Sequence, residues 1–358
     1  MADLEEEVLA RIERQRKLHP RFRDDRITMV HGAGGKATHT LVAGLFAPAF
    51  SNDALSELGD AARLEIDGAL LAMTTDAFVV KPLQFPGGSI GELAINGTVN
   101  DLAVSGAAPI AVSVALVIEE GLSSDILRAE VKAMAKAATR AGVDIVAGDT
   151  KVVERTKADG MYIVTTGIGR RDTRADLSER SIRDGDRVLC SGFVGDHGTA
   201  IMLARGELEL DADVTSDTQS VWPAAEALLE AAGQGLRVMR DPTRGGVATV
   251  LNELALGADV GVVVDEAAVP VRPPVHGACE ILGIDPMYVA NEGKLLAVVA
   301  PEMAEAALAA LRSVPEGEDA VLIGEIAPQP EGMVLVRTGF GGTRIMDMLI
   351  GDPLPRIC

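Results

Sequence analysis

The sequence predicts an α/β (α+β) protein built as two mixed α/β domains with a flexible C-terminal tail. Three observations carry that prediction. The 358 residues suffice for two domains of ordinary size, each with a core of its own. Apolar runs of strand length alternate with helically spaced segments in both halves. Between the halves, residues 170–183 are charged and carry no strong periodicity, which marks a boundary. The expected divisions are an N-terminal helical extension (1–26), a first domain (27–170), a second domain (171–345) and the tail (346–358).

The elements follow in order. Residues 2–19 alternate acidic and basic groups around Leu4, Val8, Ile12 and Leu18 until Pro20, the pattern of a solvated amphipathic helix. An apolar run, Ile27 to Val30, precedes His31-Gly32-Ala33-Gly34-Gly35-Lys36 and a helical pattern from Thr40. Glycines between a strand and a helix let backbone N–H groups approach an anion, and Lys36 could add charge to a phosphate. The spacing matches neither a P-loop nor GxGxxG, so a plain flexible turn accounts for these residues equally well. Residues 64–80 read as a hairpin around Asp67-Gly68. Its second strand carries Asp76 in apolar surroundings, where an unpaired carboxylate is costly. Helical spacing over 91–109 places Asn96, Asn100 and Asp101 close together on or beside a helix. A central strand (107–118), a helix (123–141), a strand (144–151) ending in the acidic Asp149-Thr150-Lys151, and a closing strand (161–169) complete the half.

The second half restarts with a strand (186–191), then Gly195-Asp196-His197-Gly198 before a helix (199–204), an acidic loop (207–218) and a helix (223–232). Asp241-Pro242-Thr243-Arg244-Gly245-Gly246 leads into a helix that runs to Leu256, with Asp241 as its expected cap. A strand (262–265), a loop (270–274), Glu292 ahead of a strand (295–299), a helix (302–311) and strands at 320–326 and 333–337 finish the domain.

Composition narrows the function. Net charge is −20, from 53 acidic and 33 basic residues, so binding to nucleic acid or an anionic membrane is not expected. Nucleotide binding stays open, because a divalent metal can bridge carboxylates to phosphates. Cys190, Cys279 and Cys358 show no CxxC spacing and suit reduced thiols. The acidic N-terminus has no signal-peptide pattern and the longest apolar stretch is too short for a bilayer, so a soluble cytoplasmic protein is expected.

Asp76, Asp101 and Asp149 recur at the expected ends of apolar segments, and carboxylate oxygens are what Mg²⁺ requires. One such residue is usually a cap or turn. Three of them, with Asn100 and the upstream glycines, point to a metal–nucleotide site. The tail, Leu354-Pro355-Arg356-Ile357-Cys358, reads as a substrate handle. Pro353 and Pro355 disfavour helix, ten extended residues reach about 30 Å, and Arg356 is placed to stabilise a thiolate. A frayed terminus with an incidental cysteine is the competing reading.

The motifs TTDAFVV, NGTVNDLAVSGAAP, GDTKVV, DPTRGGVA and NEGK, in this order, resemble the superfamily of ATP-dependent enzymes that includes aminoimidazole ribonucleotide synthetase. The HGAGGK start and the PRIC ending resemble, within it, the carbamoyl dehydratases of [NiFe]-hydrogenase maturation. The resemblance covers residues 27–358 and implies a PurM-like fold, a homodimer, and nucleotide bound in the first domain near the dimer interface. It implies that HypF loads a carbamoyl group onto Cys358, that ATP drives its dehydration to a thiocyanate, and that the HypC–HypD complex receives the cyano group. By motif position, Asp76, Asp101 and Asp149 would hold Mg²⁺ and ATP, with Asn100 and Thr150 beside them. The loop containing Gly32, Gly34, Gly35 and Lys36 would fold over the phosphates, and Glu292 and Lys151 would serve the reacting group. Sister enzymes such as selenophosphate synthetase or thiamine monophosphate kinase need no C-terminal cysteine, and the former places a reactive Cys near its glycines, where this chain has none. A non-catalytic scaffold would have no need of buried acids.

Overall fold

A computed structural model describes residues 21–55, 58–206, 212–351, 354 and 356–358. The helix expected over 2–19, part of the acidic loop and both tail prolines lie outside the described residues.

The glycine-rich loop feeds α1 (Gly35–Leu41), which continues through a π turn (Val42–Phe46) and a last turn (Ala47–Ala49). Strands β1 (Ala62–Ile66) and β2 (Ala69–Phe78) form the expected hairpin. Asp67 and Gly68 both take positive φ, the geometry of a tight turn that matches strand twist. After a short ribbon of β3 (Gln84–Phe85) and β4 (Gly88–Ser89) come α2 (Ile90–Val104), β5 (Ala107–Glu119), α3 (Ser124–Ala141), β6 (Asp144–Val153) and β7 (Met161–Arg171). Ser123 caps α3, its hydroxyl accepting from the Asp125 N–H, and Gly142 ends it at φ 69°. The five-stranded sheet runs β1-β2-β7-β5-β6. Helix α2 lies across β2, β7 and β5 on one face, and among the described residues no layer covers the opposite face.

In the second domain, β8 (Arg187–Cys190), α4 (Asp196–Ala204), α5 (Trp222–Ala232), β9 (Leu236–Arg240), α6 (Gly246–Ala258), β10 (Gly261–Asp265) and α7 (Pro273–Leu282) precede β11 (Leu296–Val299), α8 (Ala304–Arg312), β12 (Val321–Ala327), β13 (Met333–Arg337) and β14 (Thr343–Met346). Their sheet runs β14-β13-β10-β12-β8-β11-β9.

Five local expectations change. Met29–Gly32 forms a 3₁₀ turn where the run Ile27 to Val30 was expected as a strand, because His31 Nδ1 and the Thr28 carbonyl close a local turn. Helix α7 stands where a loop was expected at 270–274, because Pro273 and Pro274 occupy the first helical positions, where a missing N–H costs nothing. Asp241 does not cap α6; Gly245, at φ 76°, is the residue that enters it. Strand β9 has no counterpart in the sequence reading, since five residues carry too little periodicity. Asp76, Asp101 and Asp149 lie within β2, α2 and β6, not at their ends.

The two domains share buried contacts. One core cluster joins Phe78, Leu93 and Val99 of the first domain to Ile201 and Val275 of the second, and it includes Leu354 and Ile357 of the tail. That is why α2 is apolar nearly all round: it is covered on both sides.

Candidate active site between the domains

Strand β2 and helix α2 bring Asp76 and Asp101 to the domain boundary. Gly97 allows their close packing: a Cβ there would lie 2.8 Å from the Phe78 ring and 3.7 Å from Asp76 Oδ2. Thr74 donates to Asp101 Oδ2 at 2.6 Å, and the Ala77 N–H donates to Asp76 Oδ1 at 2.9 Å. The second domain adds Asp241, Arg244 and Glu292. Burial pushes the Asp101, Asp241 and Glu292 carboxyls well above their ordinary values, and repulsion from one another and from Asp76 adds to it. Asp76 is raised by burial too, with Arg244 opposing the shift. Glu292 is 3% exposed, and its Oε1 has no hydrogen-bond partner among the described residues.

Glu292 is fixed through its backbone. Both amide hydrogens of Asn100 are committed across the domain boundary, to the Gln219 carbonyl at 2.9 Å and the Glu292 carbonyl at 3.1 Å, while Asn100 Oδ1 accepts from Val221 N–H. Asp217 Oδ1 accepts from the Glu292 N–H at 3.0 Å, and Lys294 stands 3.4 Å from Asp217 Oδ2. Asn100 thus ties α2 to the backbone around Glu292.

The tail lies inside this boundary. Leu354 and Ile357 are buried, the Val79 N–H donates to the Cys358 carboxyl oxygen at 3.1 Å, and His197 Nε2 is 2.7 Å from the Ile357 carbonyl. Arg356, which the spacing put beside the thiol, has a partner elsewhere. It turns at φ 62° and pairs with Asp159. The cation facing the terminus is Arg244, whose pKa is raised chiefly by the negative charge of Cys358 and then by Asp76, Glu292 and Asp101, against the opposing effect of burial.

The glycine-rich loop is folded against the stem of the tail. Lys36 N–H and Ala37 N–H donate to the Leu349 and Ile350 carbonyls, and Lys36 Nζ lies 2.6 Å from Asp347. A Cβ on Gly35 would meet the Leu349 oxygen at 2.4 Å, so this approach requires glycine. Arg244 holds the other side, donating to the Gly32 carbonyl at 2.9 Å, and a Cβ on Gly34 would meet its side chain at 3.0 Å.

Asp149, Thr150 and Lys151 stand apart within one chain. Register links Asp76 through Thr165 and Val114 to Gly148, on the face that α2 covers, so Asp149 points to the opposite, open face. Strand β6 is three spacings from β2, about 14 Å. Asp149 is exposed, and hydrogen bonds from Lys151 and from its neighbour's N–H hold its carboxyl below the ordinary value. Among the described residues no group of three or more His, Cys, Asp or Glu side chains is arranged to hold a metal. The charge-stressed pair Asp76 and Asp101 fits a cation that arrives with phosphate ligands, since Mg²⁺ is usually held by one or two carboxylates plus substrate.

Several residues outside the sequence-derived set line this boundary. Arg240 gathers Asp60 at 2.8 Å, Glu179 at 3.1 Å and Glu253 at 2.8 Å, next to Asp241 and beside a cavity of about 290 Å³. Arg244 and His197, which also line it, are signalled by the runs at 241–248 and 195–198, whereas Arg240 and its partners carry no signal because an isolated charge reads as surface until its partners are known.

The chain matches the family models for the AIR synthase related protein N-terminal domain over residues 58–171 and C-terminal domain over 183–337. It is 48% identical to carbamoyl dehydratase HypE of Bradyrhizobium diazoefficiens over 344 residues, which is 96% of this chain and 99% of that protein. A HypE in a HypE–HypF complex superposes with a TM-score of 0.82 at 45% identity, covering 86% of this chain and 99% of that one. A HypE crystallised with ATP superposes with a TM-score of 0.77 at 47% identity, covering 93% and 100%. The chain belongs to the AIR synthase related family and, within it, to the HypE carbamoyl dehydratases.

Proposed function

We propose that this chain is an ATP-dependent carbamoyl dehydratase of [NiFe]-hydrogenase maturation, acting on a carbamoyl group carried by its own Cys358. The observation that carries this reading is the docked terminus: the last residue is held between the domains, beside Arg244 and the acid cluster. A sister enzyme acting on a free small molecule has no use for such a tail.

The thioester-like carbamoyl oxygen is a poor leaving group. It attacks the terminal phosphorus of ATP, and ADP leaves. Departure of phosphate breaks the C–O bond while the nitrogen gives up its two protons, and the S–C≡N group remains. Glu292 accepts a proton: burial makes it a stronger base than an ordinary carboxylate, and Oε1 is unengaged. Arg244 balances negative charge gathering around the terminus.

Asp76 and Asp101 would hold the Mg²⁺ that accompanies ATP, whose positive charge would offset that of the phosphates. The loop of Gly32, Gly34, Gly35 and Lys36 exchanges its bonds to the tail stem for bonds to phosphate; the half-exposed Lys36–Asp347 pair is weak enough to give way. Asp149, Thr150 and Lys151 act from the exposed edge strand, which a second copy of the chain covers, so the nucleotide site is completed in a homodimer. HypF supplies the carbamoyl group, the HypC–HypD complex takes the cyano group, and the reactions belong to the cytoplasm.

The test is the intact mass of the C-terminal peptide after incubation with HypF, carbamoyl phosphate and ATP. The expected product is a carbamoyl mass on Cys358 that loses one water only when this chain is given Mg²⁺ and ATP, with Cys358→Ala unmodified. A tail that stays unmodified beside active HypF overturns the reading.

A further inference from the structure

Cys358 is held on both of its backbone sides by groups from different domains. On one side, the His197 ring, in the first turn of α4 and fully buried, reaches the Ile357 carbonyl through Nε2 at 2.7 Å. A carbonyl only accepts, so Nε2 carries the hydrogen and Nδ1 of the neutral ring accepts. The Ser216 hydroxyl, 2.8 Å from Nδ1, donates to it and in turn accepts the Thr218 N–H. Phe85 packs edge-on against the ring with centroids 5.6 Å apart. On the other side, Val79 N–H, directly after β2, donates to the Cys358 carboxyl oxygen at 3.1 Å. The preceding residue is fixed as well: Arg205 donates to the Arg356 carbonyl at 2.6 Å, and Ile357 is buried in the shared core.

With the carbonyl before Cys358 and the carboxylate after it both engaged, its Cα is held and only rotation about χ1 moves Sγ. We propose that His197 and the Val79 amide form a two-sided clamp that measures the tail, accepting a chain that ends at the thiol-bearing residue and rejecting a longer one. The inference rests on Cys358 as the substrate carrier, and it makes His197 a positioning residue. The clamp takes hold of one carboxyl oxygen of Cys358 and of the peptide carbonyl before it. Because each domain supplies one half, it exists only while the domains stay packed.

Three proteins test it: His197→Phe, which keeps a ring beside Phe85 but lacks the donor; His197→Gln, whose amide can donate from a similar place; and the natural sequence with one glycine added after Cys358. The first readout, independent of catalysis, is the rate at which iodoacetamide labels Cys358 without ATP, since Cys190 and Cys279 are buried. The second is the single-turnover loss of water from a tail already carbamoylated. Loss of one buried hydrogen bond predicts labelling about three- to tenfold faster in His197→Phe, with dehydration slowed at least as much, and recovery to within about twofold in His197→Gln. The extended tail should label faster and dehydrate at least about tenfold more slowly. Wild-type labelling and dehydration in His197→Phe, or native dehydration of the extended tail, overturn the clamp and leave the proposed function standing. If the natural tail loses no water, the functional reading fails instead, and the labelling rates still decide the clamp. The glycine extension alters no folded residue, so it decides the matter even where the ring substitutions fail to fold.

Discussion

Glu292 carries an unmet electrostatic cost. It is buried, raised well above the ordinary carboxylate range by that burial and by Asp241, Asp76 and Asp217, with Arg244 opposing the shift. A carboxyl with a higher pKa in the folded chain binds its proton more tightly there than in the unfolded one. Stability is therefore fullest at low pH and declines as pH rises, in a window that opens near the ordinary value of about 4.3 and runs upward. Glu292→Gln removes that cost. The expected outcome is a protein about 1 kcal/mol or more stabler at pH 8. Its stability should also fall less between pH 5 and pH 8 in denaturant titrations, while dehydration is lost. An unchanged slope would show that Glu292 is charged at little cost. The sequence signals this residue by its place before an apolar strand and by the NEGK motif; its repulsive neighbours come from three separate segments.

At the scale of elements, β6 is the anomaly. It sits at the sheet edge with Val146 and Val152 each 67% exposed, and farther across the same sheet Met73 of β2 and Val164 of β7 stand exposed on the uncovered face. A ten-residue edge strand with exposed valines, one side of which pairs with no strand among the described residues, is a template for association unless something covers it. The proposed homodimer supplies that cover. Replacing both Val146 and Val152 by Lys should weaken self-association at least about tenfold in sedimentation equilibrium, since each buried valine contributes about 1.5 kcal/mol or more. Stability of the single chain should change by about 0.5 kcal/mol or less per site. Persistent dimers would place the interface elsewhere. Periodicity predicts β6 as a strand, but an edge strand and a central one read alike when both are apolar.

For the whole molecule, the domain boundary is held by polar ties as well as apolar packing. Asn100 joins α2 to backbone groups at 219, 221 and 292, and Arg240 draws in Asp60 from the first domain and Glu179 and Glu253 from the second. Arg240 is largely buried, so Arg240→Ala leaves three carboxylates without their common cation. The expected loss is about 3–5 kcal/mol in unfolding free energy. The natural chain should melt in one calorimetric transition, because its shared core couples the domains. A variant within 1 kcal/mol of the natural chain would show that the acids are neutral as they stand.

The sequence by itself determined the class of fold, most strands and helices, the family and the importance of the final cysteine, because periodicity, turn residues and motifs are local. Asp76, Asp101 and Glu292 were legible for the same reason: a carboxylate in or beside an apolar run must be compensated. The tertiary structure alone decided their company. It separated Asp149 and Lys151 from them by two intervening strands, turned Arg356 away to Asp159, put Arg244 in its place, and set His197 against the tail. Those relations join residues dozens to hundreds of positions apart, and burial, which sets the strength of every charge here, is a property of the packed domains and not of any one segment.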